Sequence, residues 1–359
     1  MDLPVERLRE WFLKTKRELP WRLSPTPYQV WVSEVMLQQT QVAVVVPYYK
    51  RWMSQFPDVK TLAEAKIEIV LKFWEGLGYY SRAHNLHEGA KKIMTSYGGK
   101  IPSTSSELLK IKGIGAYTSA AILSFAFKQK KLPLDGNVMR VLSRYFLIEE
   151  DICKPSIHRL LIERGEGLLP VFEPWTISEA LIELGALVCQ KKPKCQKCPL
   201  QKECLAHRYL RQTDLPIKRK PPRVTLLHRN VAVITDGLSV LLQKGGIKGK
   251  ALTDLYEFLY IEGECLPAQI FCSQLEEKLK LQLNYQCSLT HQEYTFTRFR
   301  VKLYPHLFKA ETLKKFKCYQ WEAINDLPFS SGHRRILGNV YPFHFKNWDF
   351  GCTKAQFLK

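Results

Sequence analysis

The spacing of apolar residues changes once along the 359-residue chain, and this change most limits what the chain can fold into. Up to about Arg211, apolar residues recur every three or four positions, as in VERLREWFLKTKREL and SEALIELGALVC, which is typical of amphipathic helices. After Leu227 the apolar runs are short or alternating, as in NVAVIT and TFTRFRVKLYP, with one helical stretch, FCSQLEEKLKLQL. The pattern predicts a multi-domain protein in which an all-α domain precedes an α+β domain.

The two patterns of apolar spacing are separated by the segment DLPIKRKPPRVTLL at residues 214–227. It is rich in proline and charge and has no period, which indicates an extended linker. We therefore expect a helical domain over residues 1–213, a linker over 214–227 and a second domain over 228–350. The chain length agrees, because domains average about 150 residues.

The chain is strongly basic, with 54 Lys and Arg against 34 Asp and Glu, a formal net charge of +20. Such an excess favours a polyanionic partner, although a basic protein whose charge only keeps it soluble can have the same composition. No apolar run approaches the roughly 18 residues of a membrane span, and the first residues, MDLPVERLRE, lack an apolar signal segment. We expect a cytoplasmic monomer with no membrane contact.

Four of the ten cysteines fall within sixteen residues, in the pattern C-x5-C-x2-C-x5-C. A reduced compartment argues against disulfides, so these thiols are candidates for one metal centre. Structural zinc usually takes two separated pairs, whereas one CxxC flanked by lone cysteines is closer to iron–sulfur usage. We expect a 4Fe-4S cluster, with zinc as the alternative, and the candidate ligands are Cys189, Cys195, Cys198 and Cys204.

The segment ELLKIKGIGAYTSAAIL predicts two helices joined at Gly113 and Gly115. Glycines allow a tight turn, and the free N–H groups of the second helix can bind a phosphate. A single GxG is often an ordinary turn, but this context favours a helix-hairpin-helix.

Two acidic residues stand out from their surroundings. Glu34 lies in the otherwise apolar and amide-bearing helix YQVWVSEVMLQQT, and Asp135 precedes Gly136-Asn137 as a helix N-cap. Each alone has an ordinary structural explanation. Together they offer a carboxylic acid and a carboxylate, which cleavage of a glycosidic bond requires.

Aromatic and amide side chains beside glycines suit contacts with nucleic-acid bases. Gln38 follows the Glu34 helix, and Tyr79 lies in WEGLGYYSRAHNL. Tyrosines in such a pattern are also often part of a core.

These motifs occur together, in one order, in a known family. The segments PWR at residues 20–22, WVSEVMLQQTQV, WEGLGYYSRAHNL, KGIGAYTSAAIL, LDGNVMRVLSR and the cysteine run resemble the MutY-type adenine DNA glycosylases of the helix-hairpin-helix superfamily. The resemblance covers residues 5–213 and, more faintly, the rest up to Phe345. It implies a monofunctional base excision repair enzyme that hydrolyses the N-glycosidic bond of adenine opposite 8-oxoguanine or guanine in duplex DNA.

The resemblance also implies roles for individual residues. Glu34 matches the acid that protonates adenine and Asp135 the carboxylate that stabilises the sugar cation, with Tyr117 and Asn137 as their neighbours. The C-terminal part resembles a Nudix-like domain that recognises 8-oxoguanine. The residues implied to contact DNA are Arg22, Gln38, Tyr79, Gly113, Gly115, Phe296, Thr297 and Arg298.

The sequence departs from the family in three places. Five residues rather than six separate Cys189 from Cys195, so we expect a tighter loop. The recognition segment reads Phe296-Thr297-Arg298, where the family has histidine last, and we expect Arg298 to contact a phosphate. The acidic box of active Nudix hydrolases is missing between Gly245 and Glu264, which favours a reader of the base over a pyrophosphatase.

Two other functions are compatible with parts of this pattern. An endonuclease III-like glycosylase and lyase for oxidised pyrimidines usually has lysine after the hairpin and Asp-Thr-His, whereas this chain has Tyr117 and Asp135-Gly136-Asn137. A non-catalytic DNA-binding protein would keep the hairpin and the lysines without needing both Glu34 and Asp135.

Overall fold

The computed structural model describes residues 3–23, 25–218, 224–245, 254–296 and 299–344. The chain divides into two compact units. One comprises residues 1–64 and 85–221, and the other residues 65–84 and 222–359. Residues 65–84, which the sequence analysis places in the helical domain, thus group with the C-terminal part of the chain.

Among the described residues of the first unit, all regular secondary-structure elements are helices. Two of its helices begin at a side-chain cap: Thr26 and Gln29 form a reciprocal capping box for α2, and Asp135 caps α9. Its helices are α1 (Val5–Thr15), α2 (Pro27–Leu37), α3 (Val42–Gln55), α4 (Val59–Glu64), α6 (Ser81–Tyr97, beginning in the other unit), α7 (Ser105–Leu108), α8 (Ala116–Ala121), α9 (Gly136–Tyr145), α10 (Pro155–Leu168), α11 (Pro174–Leu187) and α12 (Leu205–Arg208).

One core of the first unit lies between α1, α9, α10 and α11. Fully buried leucines at three- and four-residue spacing, such as Leu181 and Leu184, face Leu8 and Leu142. Burial of such side chains stabilises the fold by about 1.5–3 kcal/mol each. The prediction of amphipathic helices up to about Arg211 is therefore confirmed.

The second unit is an α+β layer structure. It includes α5 (Ile67–Trp74), α13 (Ala268–Leu279) and α14 (Ser331–His344). Its strands are β1 (Thr225–Thr235), β2 (Ser239–Lys244), β3 (Tyr256–Glu262), β4 (Asn284–Ser288), β5 (Gln292–Phe296), β6 (Phe299–Lys309) and β7 (Cys318–Gln320).

The seven strands form one mixed sheet in the order β4-β6-β1-β3-β2-β7, with β5 also paired to β6. The pair of β1 and β6 is parallel, and the other pairs are antiparallel. Alternation places Val231 and Val233 in a core shared with α14, while Ala232 and Ile234 lie in a second core shared with α13. Both faces of the sheet are therefore covered by helices.

In the described part of the chain, no helix is both long enough and apolar enough to cross a membrane.

Candidate active site

A cavity of about 550 Å³ opens in the first unit. Helices α2, α8, α9 and α11 each contribute a polar side chain, so that residues far apart in sequence line one space. The functional groups in its wall are Arg17, Arg22, Glu34, Gln38, Tyr117, Asp135, Asn137 and Glu179. The cavity therefore brings together the four predicted catalytic residues and two of the predicted DNA contacts, Arg22 and Gln38.

Glu34 is held in the cavity wall by α2 and is 6% exposed. Its Oε2 accepts a hydrogen bond of 2.5 Å from the hydroxyl of Tyr117 on α8. Burial raises the pKa of Glu34 to about 7, and the charges of Asp135 and Glu179 act in the same direction. The carboxyl group therefore keeps its proton to a higher pH than an ordinary glutamate does.

Asp135 is fixed by its role as the N-cap of α9. Its Oδ1 accepts from the backbone N–H groups of Asn137 at 2.9 Å and Val138 at 2.7 Å. Its Oδ2 accepts from the Asn137 amide at 2.7 Å. Burial raises the pKa of Asp135 above its ordinary value, while these hydrogen bonds oppose the increase. The second carboxyl group of the cavity thus has a single, well-defined orientation.

A chain of hydrogen bonds leads from Asp135 to the cysteine loop. The side-chain oxygen of Asn137 accepts from Arg140 at 2.8 Å, and Arg140 Nε donates to the carbonyl oxygen of Cys189 at 2.7 Å. Where α11 approaches α9, Gly185 leaves no room for a side chain, because a Cβ there would lie 2.6 Å from Asn137. The position of Asn137 therefore depends on both α11 and the loop that follows it.

Helix α11 supplies two acids that the sequence analysis did not select. Glu183 is fully buried and accepts hydrogen bonds from Arg17 Nε at 2.6 Å and Arg22 Nη2 at 2.8 Å. Glu179 faces the cavity, 4.0 Å from Arg22, and burial raises its pKa. The available signal was the i, i+4 spacing of two glutamates in the otherwise apolar helix SEALIELGAL.

The four clustered cysteines line one small pocket of about 30 Å³ in the same unit. None forms a disulfide. Buried Arg144 donates to Cys189 Sγ at 3.3 Å, and its carbonyl oxygen accepts from Cys204 Sγ at 3.6 Å. Burial raises the pKa of Cys198 to about 12, so the protein alone disfavours its thiolate form.

These thiols suit a soft metal centre in donor type and number. Four sulfur donors converge on one pocket, and the guanidinium of Arg144 lies beside Cys189. Among the described residues, no group of three or more His, Cys, Asp or Glu side chains has the geometry of a metal site as it stands. The five-residue spacing after Cys189 nevertheless does not remove this cysteine from the pocket.

The predicted hairpin has a left-handed residue at its turn. Gly113 has φ +86°, and a Cβ at this position would lie 2.6 Å from the Cβ of Asn85. Gly115 is the N-cap of α8 in extended conformation and has open space around it. After α8 the chain continues as a π-helix, Ile122–Ala126. The close approach of the chain thus requires glycine at 113, whereas glycine at 115 leaves the N-terminus of α8 uncovered.

Tyr79 and Tyr80 have opposite environments in the second unit. Tyr79 is 39% exposed and has a left-handed φ of +47°, whereas Tyr80 is 3% exposed. Arg82 lies against the rings of Trp74 and Tyr79, with its guanidinium 5.1 and 5.6 Å from their centroids. Of the two tyrosines, Tyr80 is a core residue and Tyr79 remains available for contact.

The recognition segment is only partly described. Strands β5 and β6 form an antiparallel pair in which Phe296 is in register with Phe299. Thr297 and Arg298 lie outside the described residues, and for Phe296 only the backbone position is described. The predicted contacts of these three residues stay predictions.

This chain is similar to known DNA repair proteins. Residues 32–165 match the family model of the HhH-GPD superfamily of base excision DNA repair proteins. Adenine DNA glycosylase from Buchnera aphidicola subsp. Baizongia pistaciae is 42% identical over 193 residues, which cover 54% of each protein. The human adenine DNA glycosylase is 42% identical over 218 residues, covering 58% of this chain and 40% of that protein. This chain thus matches about half the length of these relatives.

A solved structure shows the same fold. The structure of a thermostable thymine-DNA glycosylase superposes with a TM-score of 0.53 at 27% identity, covering 57% of this chain and 95% of the other. Residues 32–165 thus match the HhH-GPD superfamily of base excision DNA repair proteins, and over more than half of its length this chain is similar to the MutY-type adenine DNA glycosylases.

Proposed function

We propose that this protein is a monofunctional DNA glycosylase that excises adenine mispaired with 8-oxoguanine or guanine in duplex DNA, as part of base excision repair. The observation that carries the proposal is the pair of buried carboxyl groups, Glu34 and Asp135, in one cavity. Their environments differ, since Glu34 has a pKa of about 7 while Asp135 accepts three hydrogen bonds. This difference separates an acid from a carboxylate.

In this mechanism Glu34 is the proton donor. Because the Tyr117 hydroxyl donates to Oε2, the proton of the neutral acid lies on Oε1. A flipped adenine in the cavity accepts this proton, which makes the base a better leaving group. Tyr117 in this role is a positioning residue, since its hydrogen bond fixes the orientation of the acid.

Asp135 stabilises the positive charge that develops on the sugar as the glycosidic bond breaks. Asn137 keeps the Asp135 carboxylate in place through its amide. Arg22 and Glu179 supply a donor and an acceptor to the edge of the base. The buried carboxylate of Glu183 holds both Arg17 and Arg22, so the wall of the base pocket is rigid.

For the remaining predicted contacts with DNA, the net charge of +20 supplies attraction to the phosphates. We assign Gln38 and Tyr79 to insertion beside the opposite base, and Gly113 and Gly115 to close approach of the backbone to a phosphate. The C-terminal unit is then a Nudix-like reader that recognises 8-oxoguanine through Phe296, Thr297 and Arg298.

The four cysteines would hold a 4Fe-4S cluster. The cluster would tie the loop of residues 189–204 into one shape and neutralise thiolates that the protein alone disfavours. Lysines at 191, 192, 194, 197 and 202 would then be presented together on this loop.

The proposal is tested by single-turnover base release from duplexes that differ in one pair only: adenine opposite 8-oxoguanine, guanine or cytosine, and thymine opposite guanine. We expect release of adenine opposite 8-oxoguanine and guanine, and its loss in Glu34→Gln and Asp135→Asn. Glu163→Gln is the matched control, because Glu163 is an exposed residue of α10. Thymine release without adenine release would contradict the proposal and place the chain with the thymine-DNA glycosylase.

A further inference from the structure

The segment of residues 65–84 is attached to the C-terminal part of its unit by polar contacts. The Tyr80 hydroxyl donates to the carbonyl oxygen of Phe329 at 3.1 Å, and Lys72 donates to the carbonyl oxygen of Asn325. These contacts join residues about 250 positions apart in sequence. The loop that carries Tyr79 is therefore built on the C-terminal fold.

Glu75 attaches the segment through an ion pair. Its Oε1 accepts from Arg334 Nε at 2.5 Å and its Oε2 from Arg334 Nη2 at 3.0 Å, which is a bidentate ion pair. The Glu75 side chain is 13% exposed, and the guanidinium lies over the Phe329 ring, 4.8 Å from its centroid. Partial burial makes such a charge-assisted pair stronger than one on the surface.

The loop between Glu75 and Tyr80 has one defined shape. Trp74 Nε1 donates to the carbonyl oxygen of Gly78 at 3.0 Å, and Arg82 Nη2 donates to the carbonyl oxygens of Leu77 and Gly78 at 3.1 Å. Trp74 precedes the loop and Arg82 follows it, so both sides of the loop hold these carbonyl groups. A displacement of Glu75 at the base of the loop is therefore transmitted to Tyr79.

The first turn of α14, which carries Arg334, also contacts strand β5. A Cβ at Gly332 would lie 2.5 Å from the Tyr294 ring, so helix and strand are in close contact there. Arg335 Nη1 donates to the carbonyl oxygen of Glu293 at 2.9 Å. Strand β5 ends at Phe296, the first residue of the predicted recognition segment. The first turn of α14 therefore contacts both the loop that carries Tyr79 and the β5 strand of the recognition hairpin.

We propose that the Glu75–Arg334 ion pair positions Tyr79 relative to the β5–β6 hairpin through the first turn of α14, and thereby sets the preference for the base opposite adenine. The proposal rests on the proposed function, which assigns Tyr79 and the hairpin to that base. Both residues are positioning residues, since neither is placed against the DNA.

The test uses the full-length protein and duplexes whose adenosine carries a 2′-fluorine, which makes the glycosidic bond resistant to cleavage. Dissociation constants are measured with 8-oxoguanine or guanine opposite. A 2-aminopurine beside the opposite base reports by fluorescence whether the stack is opened there. Variants are Glu75→Gln, Arg334→Met and their combination. The matched control is Glu68→Gln, on helix α5, which Glu75 directly follows; Glu68 forms an exposed pair with Lys244 at 3.6 Å.

The preference is the dissociation constant of the guanine duplex divided by that of the 8-oxoguanine duplex. We expect Glu75→Gln and Arg334→Met each to reduce this ratio by at least about fivefold and to lower the 2-aminopurine signal. The double variant should lose no more than either single one, and Glu68→Gln should keep the wild-type ratio. Introduced into Tyr79→Ala, Glu75→Gln should have no further effect, because the pair acts through that ring.

A wild-type ratio in folded Glu75→Gln, or an equal loss in the Tyr79→Ala background, overturns the inference. If Glu75→Gln does not fold, Glu75→Asp replaces it, and its shorter carboxylate should give an intermediate ratio. Failure of the proposed function would look different, because the wild-type protein itself would then bind the adenine and 8-oxoguanine duplex no better than a fully paired one.

Discussion

The hydroxyl of Tyr117 and the carboxyl group of Glu34 are joined by a 2.5 Å hydrogen bond inside a cavity where burial raises the pKa of both groups. The bond favours the ionised form of Glu34, but burial outweighs it, and the pKa of Glu34 is about 7. An acid of this strength donates a proton efficiently near neutral pH.

Adenine release should therefore depend on pH in a defined direction. Because Glu34 must be protonated, the single-turnover rate should decline as pH rises through about 7 and then fall about tenfold per pH unit. The acid limb should appear where Asp135 becomes protonated, above the ordinary range of an aspartate, because its pKa is raised. Rates measured with saturating enzyme from pH 4 to 9 test this, with DNA affinity measured at each pH. A rate that rises between pH 7 and 9 would exclude Glu34 as the acid.

Glu34→Gln should reduce adenine release by at least about 100-fold and leave binding of the mispair nearly unchanged, because the amide has the same shape but delivers no proton. The same variant should be more stable than wild type. Burial raises the folded-state pKa of Glu34 above its unfolded value, which means that the folded state disfavours the ionised form. The free energy of unfolding of the wild type therefore decreases as pH rises from about 4.5 to about 7. We expect a gain on the order of 1–3 kcal/mol at pH 8 that disappears at pH 4, measured by urea unfolding. Glu163→Gln should show neither effect.

Glu183→Gln should destabilise the first unit by about 3 kcal/mol at pH 7, because Arg17 and Arg22 would lose their shared buried partner. Burial alone raises the pKa of Glu183, but the hydrogen bonds from Arg17 and the charge of Arg22 bring it below the ordinary value. The stabilisation is thus present above the unfolded pKa and is lost as pH falls through the folded one. Unfolding measured at pH 7 and pH 3 should show the difference between variant and wild type shrinking at the lower pH. An equal difference at both pH values would mean that packing, not charge, explains the loss.

The purified protein should contain about four iron and four sulfide per chain and be brown. Cys198→Ser should lose the colour, lower the melting temperature and weaken DNA binding, because the cluster would hold the shape of its own loop. Cys153→Ser is the control, since Cys153 is exposed and lies outside the pocket. One zinc per chain without sulfide would assign the four thiols to a zinc site instead.

Base release should leave the DNA strand intact. Under the proposed function, Tyr117 takes the place of the amine nucleophile of a lyase, and a phenol forms no imine with the sugar. Borohydride should therefore trap no stoichiometric complex during adenine release, and nicks should appear only after alkali. Slow trapping through Lys112 is compatible with this, provided that its rate is far below that of base release. Nicking at the rate of adenine release would contradict the assignment.

The sequence predicts the pair Glu34 and Asp135 because each interrupts a local pattern, one as a charge in an apolar helix and the other as an N-cap. Glu183 violates the same rule in α11 but is compensated by Arg17, a residue 166 positions away. The spacing of residues around Glu183 does not indicate that partner. The different hydrogen-bond environments of Glu34 and Asp135 likewise arise only when α2, α8 and α9 meet.

The grouping of residues 65–84 with the C-terminal part is also beyond a local pattern. The helix of IEIVLKFW looks like any other amphipathic helix of the first half, and Arg334, the partner of Glu75, is 259 residues away. The helical first part and the α+β second part of the chain are nevertheless predicted correctly, since apolar periods of 3.6 and 2 residues are local properties.

Asp135 shows how folding and chemistry are linked in this chain. In water, a new positive charge on a sugar has to reorient the surrounding dipoles, and this reorganisation is a large part of the barrier. Here the dipoles that orient the Asp135 carboxylate are the first N–H groups of α9, and they are aligned as soon as the helix forms. Under the proposed function, the environment of the transition state is therefore set during folding and before any DNA binds.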